Sequence, residues 1–208
     1  MNCPLCQHST EVFYMHRHKH YYFCTNCFSI SLCKQQRLAP EYEKQHYTHH
    51  VNNVEDPSYQ QFVSPITSQI VEDFDKFSTG LDFGCGTGPV IQHVLQKEGF
   101  KVDLYDHYFY PNTEVFNNKY DFIVASEVVE HFYYPDKEFS RLHQMLKPGG
   151  KLYIMTELFS EKKCFDEWYY KNDPTHVFFY NKKTMQWISK KFGFHQVENN
   201  KRLTVFTK

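Results

Sequence analysis

Residues 81–89, Leu81-Asp82-Phe83-Gly84-Cys85-Gly86-Thr87-Gly88-Pro89, read as a strand that runs into a glycine turn and then, at Pro89, into a helix. Three glycines at alternate positions permit positive φ and let a ligand lie against main-chain N–H groups. Pro89 suits the first helical position, where no N–H is needed. The turn therefore reads as a site for a nucleoside cofactor. A dinucleotide fingerprint would place a third glycine at position 89, with the helix start facing a pyrophosphate, and proline stands there instead.

Outward from the turn, Lys101-Val102-Asp103-Leu104-Tyr105-Asp106 alternates like a strand and ends on Asp106, where a carboxylate accepts hydrogen bonds from both ribose hydroxyls. Tyr120-Asp121-Phe122-Ile123-Val124-Ala125-Ser126-Glu127 gives a third buried strand, and Val128-Val129-Glu130-His131-Phe132 reads as the start of the next helix. An amphipathic helix spans 136–147. Leu146-Lys147-Pro148-Gly149-Gly150 closes it and turns the chain into a strand at 151–156. A helical stripe covers 58–74, interrupted at Pro65, and another spans 182–192 with Gly193 as its stop. The chain ends in strands at 195–198 and 202–207, with a polar turn at Asn199-Asn200.

In this order the motifs resemble those of class I S-adenosylmethionine-dependent methyltransferases. Asp82-x-Gly84-x-Gly86-x-Gly88 is similar to the family's first motif, 120–132 to its fourth strand and post-strand motif, 151–156 to its fifth strand, and the ending to its antiparallel final hairpin. The resemblance spans residues 58–208. It implies a Rossmann-like α/β sheet, mostly parallel with an antiparallel last strand and helices on both faces. S-adenosylmethionine is the implied cofactor, bound at Asp82, Gly84, Cys85, Gly86, Gly88, Asp106 and Glu127.

Cys3, Cys6, Cys24 and Cys27 form a C-x2-C-x17-C-x2-C array within the spacing of a zinc ribbon. Each Cys-x-x-Cys turn offers two thiolates, and two turns complete the closed tetrahedral set of a structural zinc. Residues 11–14 and 20–23 are β-prone and flank a polar turn, as a ribbon hairpin requires. A disulfide framework is the alternative reading, without a secretion signal to support it. The expected organisation is a zinc ribbon at 1–38, a linker at 39–57 and the catalytic domain at 58–208. His16, His18 and His20, spaced two apart, are candidates for a second metal or solvated turn residues. His46, His49 and His50 fall in a polar segment, 40–57, that lacks clear periodicity.

Composition bounds the function. At 208 residues with 41% hydrophobic side chains, the chain can fill one α/β core with a small appendage. A formal charge of −1 gives no global attraction to phosphate backbones, which weighs against nucleic acid. The expected address is the cytoplasm, without a membrane partner. Aromatic residues reach 18%, so aromatic-lined pockets arise readily.

Methyl transfer from a sulfonium is an in-line displacement that needs no metal to neutralise a leaving group. Holding both reactants in line contributes roughly 7–11 kcal/mol. A base is needed only when the acceptor is a hydroxyl or a carbon acid. His131 is the first candidate, because it follows a strand at the sheet's C-terminal edge, where ligands bind in open α/β sheets, and imidazole takes protons near neutral pH. Glu127 or Glu130 could orient it, and Glu127 is expected nearer the cofactor. His176 is the second. Similar methyltransferases carry an Asp-x-x-His loop that approaches the acceptor pocket, matched here by Asp173 and His176, and Trp168, Tyr169 and Tyr170 either line that pocket or pack on the core. Tyr59 and Phe62 either cover the ligand or pack ordinarily.

A four-cysteine ribbon ahead of a Glu-His pair also resembles the zinc-bearing sugar C-methyltransferases, in which that histidine is a proposed base. Those enzymes carry a further C-terminal half not found in these 208 residues. The second half, from Asp173, is also similar to small methyltransferases of the ubiquinone and secondary-metabolite type. The expected activity is methyl transfer to a small-molecule acceptor, at a sugar or metabolite hydroxyl or carbon. Two alternatives stay open: methylation of a protein or RNA recognised by the ribbon, and a non-catalytic partner protein that binds the cofactor. An enclosed pocket over the methyl position would favour the first reading, and a basic or aromatic stripe from ribbon to pocket the second.

Overall fold

Two Cys-x-x-Cys turns joined by a hairpin begin the chain in the computed structural model, which describes residues 1–16, 18–48 and 52–208. His49 and His50 lie outside the described residues. The hairpin is β1 (Thr10–His16) and β2 (Lys19–Cys24), followed by β3 (Ile30–Leu32). Each cysteine pair closes the same way. The residue after the second cysteine, Gln7 or Phe28, takes a left-handed φ of 60° or 62°. Its N–H donates to the carbonyl of the first cysteine, at 2.9 Å for Cys3 and 2.8 Å for Cys24.

Residues 40–48, expected as an aperiodic linker, form the helix α1 (Pro40–Thr48). Asp56 then caps α2 (Pro57–Asp73) by accepting the Ser58 N–H at 2.9 Å. Pro65 does not interrupt this helix as expected. The Gln61 carbonyl, to which residue 65 would have donated, accepts the Ser64 hydroxyl at 2.8 Å instead, so the helix continues.

The central sheet contains β4 (Thr79–Phe83), β5 (Lys101–Tyr105), β6 (Tyr120–Ser126), β7 (Leu146–Met155), β9 (Gln196–Asn200) and β10 (Leu203–Thr207) in the order β5-β4-β6-β7-β10-β9. The pairs β4/β5, β4/β6 and β6/β7 are parallel, whereas β10 runs antiparallel to β7 and to β9. The helices are α3 (Val90–Lys97), α4 (Pro135–Met145) and α5 (Lys182–Phe192). Alternation along the strands separates two cores: Phe122, Val124 and Tyr153 pack with α2 and α3, while Ile123, Ala125 and Leu152 pack with α4 and α5. This is the α/β fold expected, with helices on both faces. Among the described residues no helix is long and apolar enough to cross a membrane.

Several local expectations need correction. Pro89 is the N-cap of α3, one residue ahead of the expected first turn. The strand β6 follows β5 as the third strand of the sheet in sequence, as expected, with a 3-10 turn at Thr113–Asn117 between them. Leu146 caps the C-terminus of α4 as expected, but residues 146–150 are already the first half of β7, where Gly149 N–H donates to the Lys208 carbonyl at 2.9 Å. The final turn lies at Lys201-Arg202 rather than Asn199-Asn200, with Lys201 at φ 53°.

The ribbon does not stand apart. Between β7 and α5, β8 (Phe178–Phe179) pairs antiparallel with β3, extending the ribbon sheet to β1-β2-β3-β8. Leu32 N–H donates to the Val177 carbonyl at 2.9 Å, and Asn181 Nδ2 donates to the Phe28 carbonyl at 2.7 Å. Cys3, Cys24 and Cys27 are buried in the same apolar cluster as Phe178 and Tyr180.

The end of α5 gives one stability prediction. Gly193 stops the helix at φ 82°, and a Cβ there would meet only His143 Nε2, at 3.9 Å. Gly193→Ala should therefore cost roughly 1–2 kcal/mol through backbone conformation alone. Denaturant unfolding would read this as a lower midpoint at unchanged slope.

Candidate active site

The glycine turn sits where β4 delivers the chain to α3, at the carboxyl edge of the parallel strands. Gly84 and Gly86 hold φ of 81° and 64°. The N–H groups of Gly84 and Cys85 donate to the Tyr105 carbonyl at 2.7 and 3.2 Å, tying the turn to the end of β5. A Cβ on Gly84 would lie 2.4 Å from Val128 Cγ2, and one on Gly88 would lie 2.1 Å from the Asn52 carbonyl oxygen. Glycine is thus required at both positions by close approach: at 84 to the loop after β6, at 88 to the chain beyond α1.

Asp106 closes the turn from the opposite side. Its Oδ2 accepts the Gly86 N–H at 3.0 Å, and its Oδ1 accepts the N–H groups of Tyr108 and Phe109 at 2.8 and 3.0 Å. A carboxylate offers about four acceptor positions. Three are used, so Asp106 has room for one further donor rather than both ribose hydroxyls. Asp82 lies beneath the turn, 3% exposed, where burial pushes its carboxyl up to about 7 against the pull of the Gln92 N–H, with the charge of Asp106 adding to the rise.

A cavity of about 960 Å³ opens on this turn. Gly84, Cys85, Gly86, Asp106 and Glu127 line one part, and His131 and His176 line another. Asp82 and Gly88 stand behind the wall and hold its shape. Tyr59, Phe62, Tyr169 and Tyr170 reach the cavity, whereas Trp168 is buried in the core and donates from Nε1 to Glu157 at 2.7 Å.

Glu127 follows β6 with a left-handed φ of 52°. Its Oε2 meets Arg202 Nη2 at 2.6 Å and accepts the Tyr170 hydroxyl at 3.2 Å, while its Oε1 is buried without a partner among the described residues. Burial and then neighbouring Glu130 push its carboxyl up to about 7, against the Arg202 guanidinium. These features fit an S-adenosyl cofactor. Gly86 presents a surface with no side chain, Asp106 retains capacity for a hydroxyl, and an unpartnered carboxylate oxygen lies beside the turn.

His131 ends the 3-10 turn Val129–His131. Its Nδ1 is 2.9 Å from Tyr47 Oη and 3.1 Å from the Thr175 carbonyl. Neither acidic neighbour holds it, contrary to expectation. Glu130 is fully buried and accepts hydroxyls from Thr156, at 3.0 Å, and from Tyr170, and its Oε1 lies 3.9 Å from His176 Nε2. His176 donates from Nδ1 to the Tyr170 carbonyl at 2.6 Å. The two imidazole rings lie 4.8 Å apart at 65°. Burial lowers the pKa of both histidines, with the nearness of His131 adding to the effect on His176. Asp173, two residues before Thr175, accepts the Thr175 N–H and hydroxyl at 2.8 and 2.5 Å. Burial would raise its carboxyl, but these bonds and the two histidines hold it down at about 2.

Among the described residues, two groups bring possible metal ligands within 4.8 Å of one another. One is Cys3, Cys6, Cys24 and Cys27, the other Glu130, His131 and His176. In the first, Sγ separations of 3.5 Å (Cys3–Cys27) and 3.4 Å (Cys6–Cys24) approach the roughly 3.8 Å edge of a tetrahedron with 2.3 Å zinc–sulfur bonds. The second suits acid–base work better, because both Glu130 oxygens are engaged by hydroxyls. Among the described residues neither group includes His16, His18 or His20. His16 ends β1 and His20 lies on β2, on the two arms of the hairpin.

Glu43, Tyr47 and Arg202 line the cavity without any sequence signal. A family model described as a methyltransferase domain matches residues 47–199. An O-methyltransferase family protein from Burkholderia thailandensis superposes with a TM-score of 0.56 at 12% identity, over 79% of this chain and 61% of that one. The 1,6-didemethyltoxoflavin-N1-methyltransferase of the same organism, with bound 1,6-didemethyltoxoflavin and S-adenosylhomocysteine, gives a TM-score of 0.56 at 12% identity, over 95% and 99%. Human N-acetylserotonin methyltransferase in complex with S-adenosylmethionine gives 0.54 at 12% identity, over 82% and 56%. At these identities the likeness is one of fold, and the chain spans less than two thirds of the first and third of these proteins. A search among curated proteins gave no match.

Proposed function

The chain belongs to the methyltransferase domain family, and from that premise we propose that it transfers a methyl group from S-adenosylmethionine to a small-molecule acceptor, at a hydroxyl or an acidic carbon. One observation carries this reading: a single cavity is lined both by the glycine turn with Asp106 and by the imidazoles of His131 and His176. Its volume of about 960 Å³ falls at the upper end of small-molecule sites, roughly 300–1,000 Å³. Bound at the turn, the cofactor supplies an electrophilic methyl on a sulfonium. The protein's task is to place the acceptor in line with it, exclude water and remove a proton. His131 is the base, and His176, whose ring packs against it, holds the acceptor. Gly84, Cys85 and Gly86 form the floor, with Asp106 for the ribose and Glu127 for the cationic end of the amino acid moiety. The toxoflavin enzyme, matched over nearly its whole length, has bound 1,6-didemethyltoxoflavin, in keeping with a small-molecule acceptor.

Calorimetric titration with S-adenosylhomocysteine tests the cofactor assignment. Asp106→Ala removes a charged acceptor and should cost roughly 1.5–3 kcal/mol, about 10- to 150-fold in affinity. Wild-type affinity in the variant would remove Asp106 from the site. We also assign a structural zinc to Cys3, Cys6, Cys24 and Cys27, supported by the paired turns and the sulfur separations.

A further inference from the structure

Residues 40–48 carry no aliphatic side chain beyond the proline ring and no recognisable motif, yet α1 places two side chains beside the His131 imidazole. Glu43 and Tyr47 are four residues apart and share a helix face. Tyr47 Oη stands 2.9 Å from His131 Nδ1 and 3.2 Å from Glu43 Oε1. The Thr175 carbonyl, which can only accept, lies 3.1 Å from the same nitrogen, so Nδ1 carries the ring proton. Tyr47 therefore receives a hydrogen bond from the imidazole and donates its own to Glu43. The direction of each bond is fixed, and the Nε2 lone pair is left for the acceptor. Glu43 itself is 8% exposed, and its Oε2 accepts the Tyr108 hydroxyl at 3.1 Å. A buried carboxylate satisfied by two tyrosine hydroxyls is a built feature.

We propose that Glu43 and Tyr47 are positioning residues for methyl transfer, a carboxylate–tyrosine–imidazole relay that holds His131 with Nε2 free and stabilises the imidazolium formed when Nε2 takes a proton. The inference rests on His131 being the base. The acceptor's proton goes to Nε2, the acceptor's electron pair forms the new bond to the methyl carbon, and the electrons of the broken carbon–sulfur bond stay on sulfur. The imidazolium then has two N–H groups, one held by Tyr47 and Thr175, and returns the other proton to solvent when the site opens. A tyrosine between acid and imidazole keeps the two from forming a direct ion pair, which would leave His131 protonated and useless as a base. The groups that face the ring are Glu43, His46 and Tyr47 from α1, Asp173 and His176 from the loop before β8, and Glu130 from its own turn. Glu43 and Asp173 favour the charged ring, and His46 opposes it.

The test needs no acceptor. Long-range proton–nitrogen NMR of the full-length, nitrogen-15-labelled protein with S-adenosylhomocysteine bound reports the tautomer and titration midpoint of His131, assigned by its loss in His131→Ala. The wild type should show a neutral ring protonated at Nδ1. Glu43→Gln removes a negative charge that favours imidazolium, and should lower the midpoint by roughly half a unit to one unit. Tyr47→Phe deletes one oxygen, cuts the link and should also lower it. If Glu43→Gln does not fold, Tyr47→Phe carries the test. A ring protonated at Nε2, or unchanged midpoints in folded variants, would overturn the relay while leaving His131 as base. Full turnover in His131→Ala would remove the base itself, a separate outcome.

Discussion

His131→Ala should lower turnover by about a hundredfold to ten-thousandfold, the usual cost of losing a general base, while leaving affinity for S-adenosylhomocysteine nearly unchanged. The division follows from the geometry. The proposed cofactor contacts gather at residues 84–86, Asp106 and Glu127, whereas the His131 ring is held by Tyr47 and Thr175 and packs against His176. Burial holds the His131 pKa below the ordinary imidazole value of 6.5. A base works in its unprotonated form, so the rate should be flat near neutral pH and fall as pH drops through that lowered value. Release of S-adenosylhomocysteine across a panel of small hydroxylated acceptors measures both effects. Full activity in the variant would mean an acceptor that needs no base.

The second large effect is expected at the ribbon. Apparent zinc-binding free energies in zinc-finger peptides reach about 10–16 kcal/mol, comparable to the roughly 5–15 kcal/mol that stabilises a whole domain. Cys24→Ser should therefore abolish metal binding and unfold β1–β3. Elemental analysis should give one zinc per wild-type chain and none in the variant. The damage should not stop at the ribbon. Leu32 N–H holds the Val177 carbonyl, and β3 pairs with β8, so the loop that carries His176 loses its attachment to the ribbon. The Val177 N–H, which donates to the Glu130 carbonyl at 2.9 Å, still ties it to the catalytic domain. Hydrogen exchange should show lost protection at 177–179 as well as in β1–β3. A metal-free wild type with β1–β3 fully protected would contradict the zinc assignment.

The glycine turn was legible because its function constrains the backbone: left-handed φ and close approach permit little besides glycine, and the residue types record it. Asp106 was legible for a similar reason, as a carboxylate at a strand end a fixed distance from that turn. The cysteines were legible from spacing. By contrast, α1 escaped notice because its sequence, Pro-Glu-Tyr-Glu-Lys-Gln-His-Tyr-Thr, has no aliphatic stripe. Its inward positions are Glu43 and Tyr47, which satisfy each other and His131 rather than filling a core. Arg202 was missed because the final turn falls two residues later than the Asn199-Asn200 pair suggested, and only the folded hairpin brings it to Glu127. Pro148 and the two glycines after it looked like a helix stop. They instead lie at the start of β7, where Lys208 supplies the hydrogen bonds to Gly149 and Gly150.

The most direct test of the central claim is a crystal structure with S-adenosylhomocysteine bound. Its ribose should rest against Asp106, its amino acid end beside Glu127, and its sulfur should face the space between His131 and His176. A ligand seated in the glycine turn with its sulfur directed away from both imidazoles, or bound outside this cavity, would contradict the account.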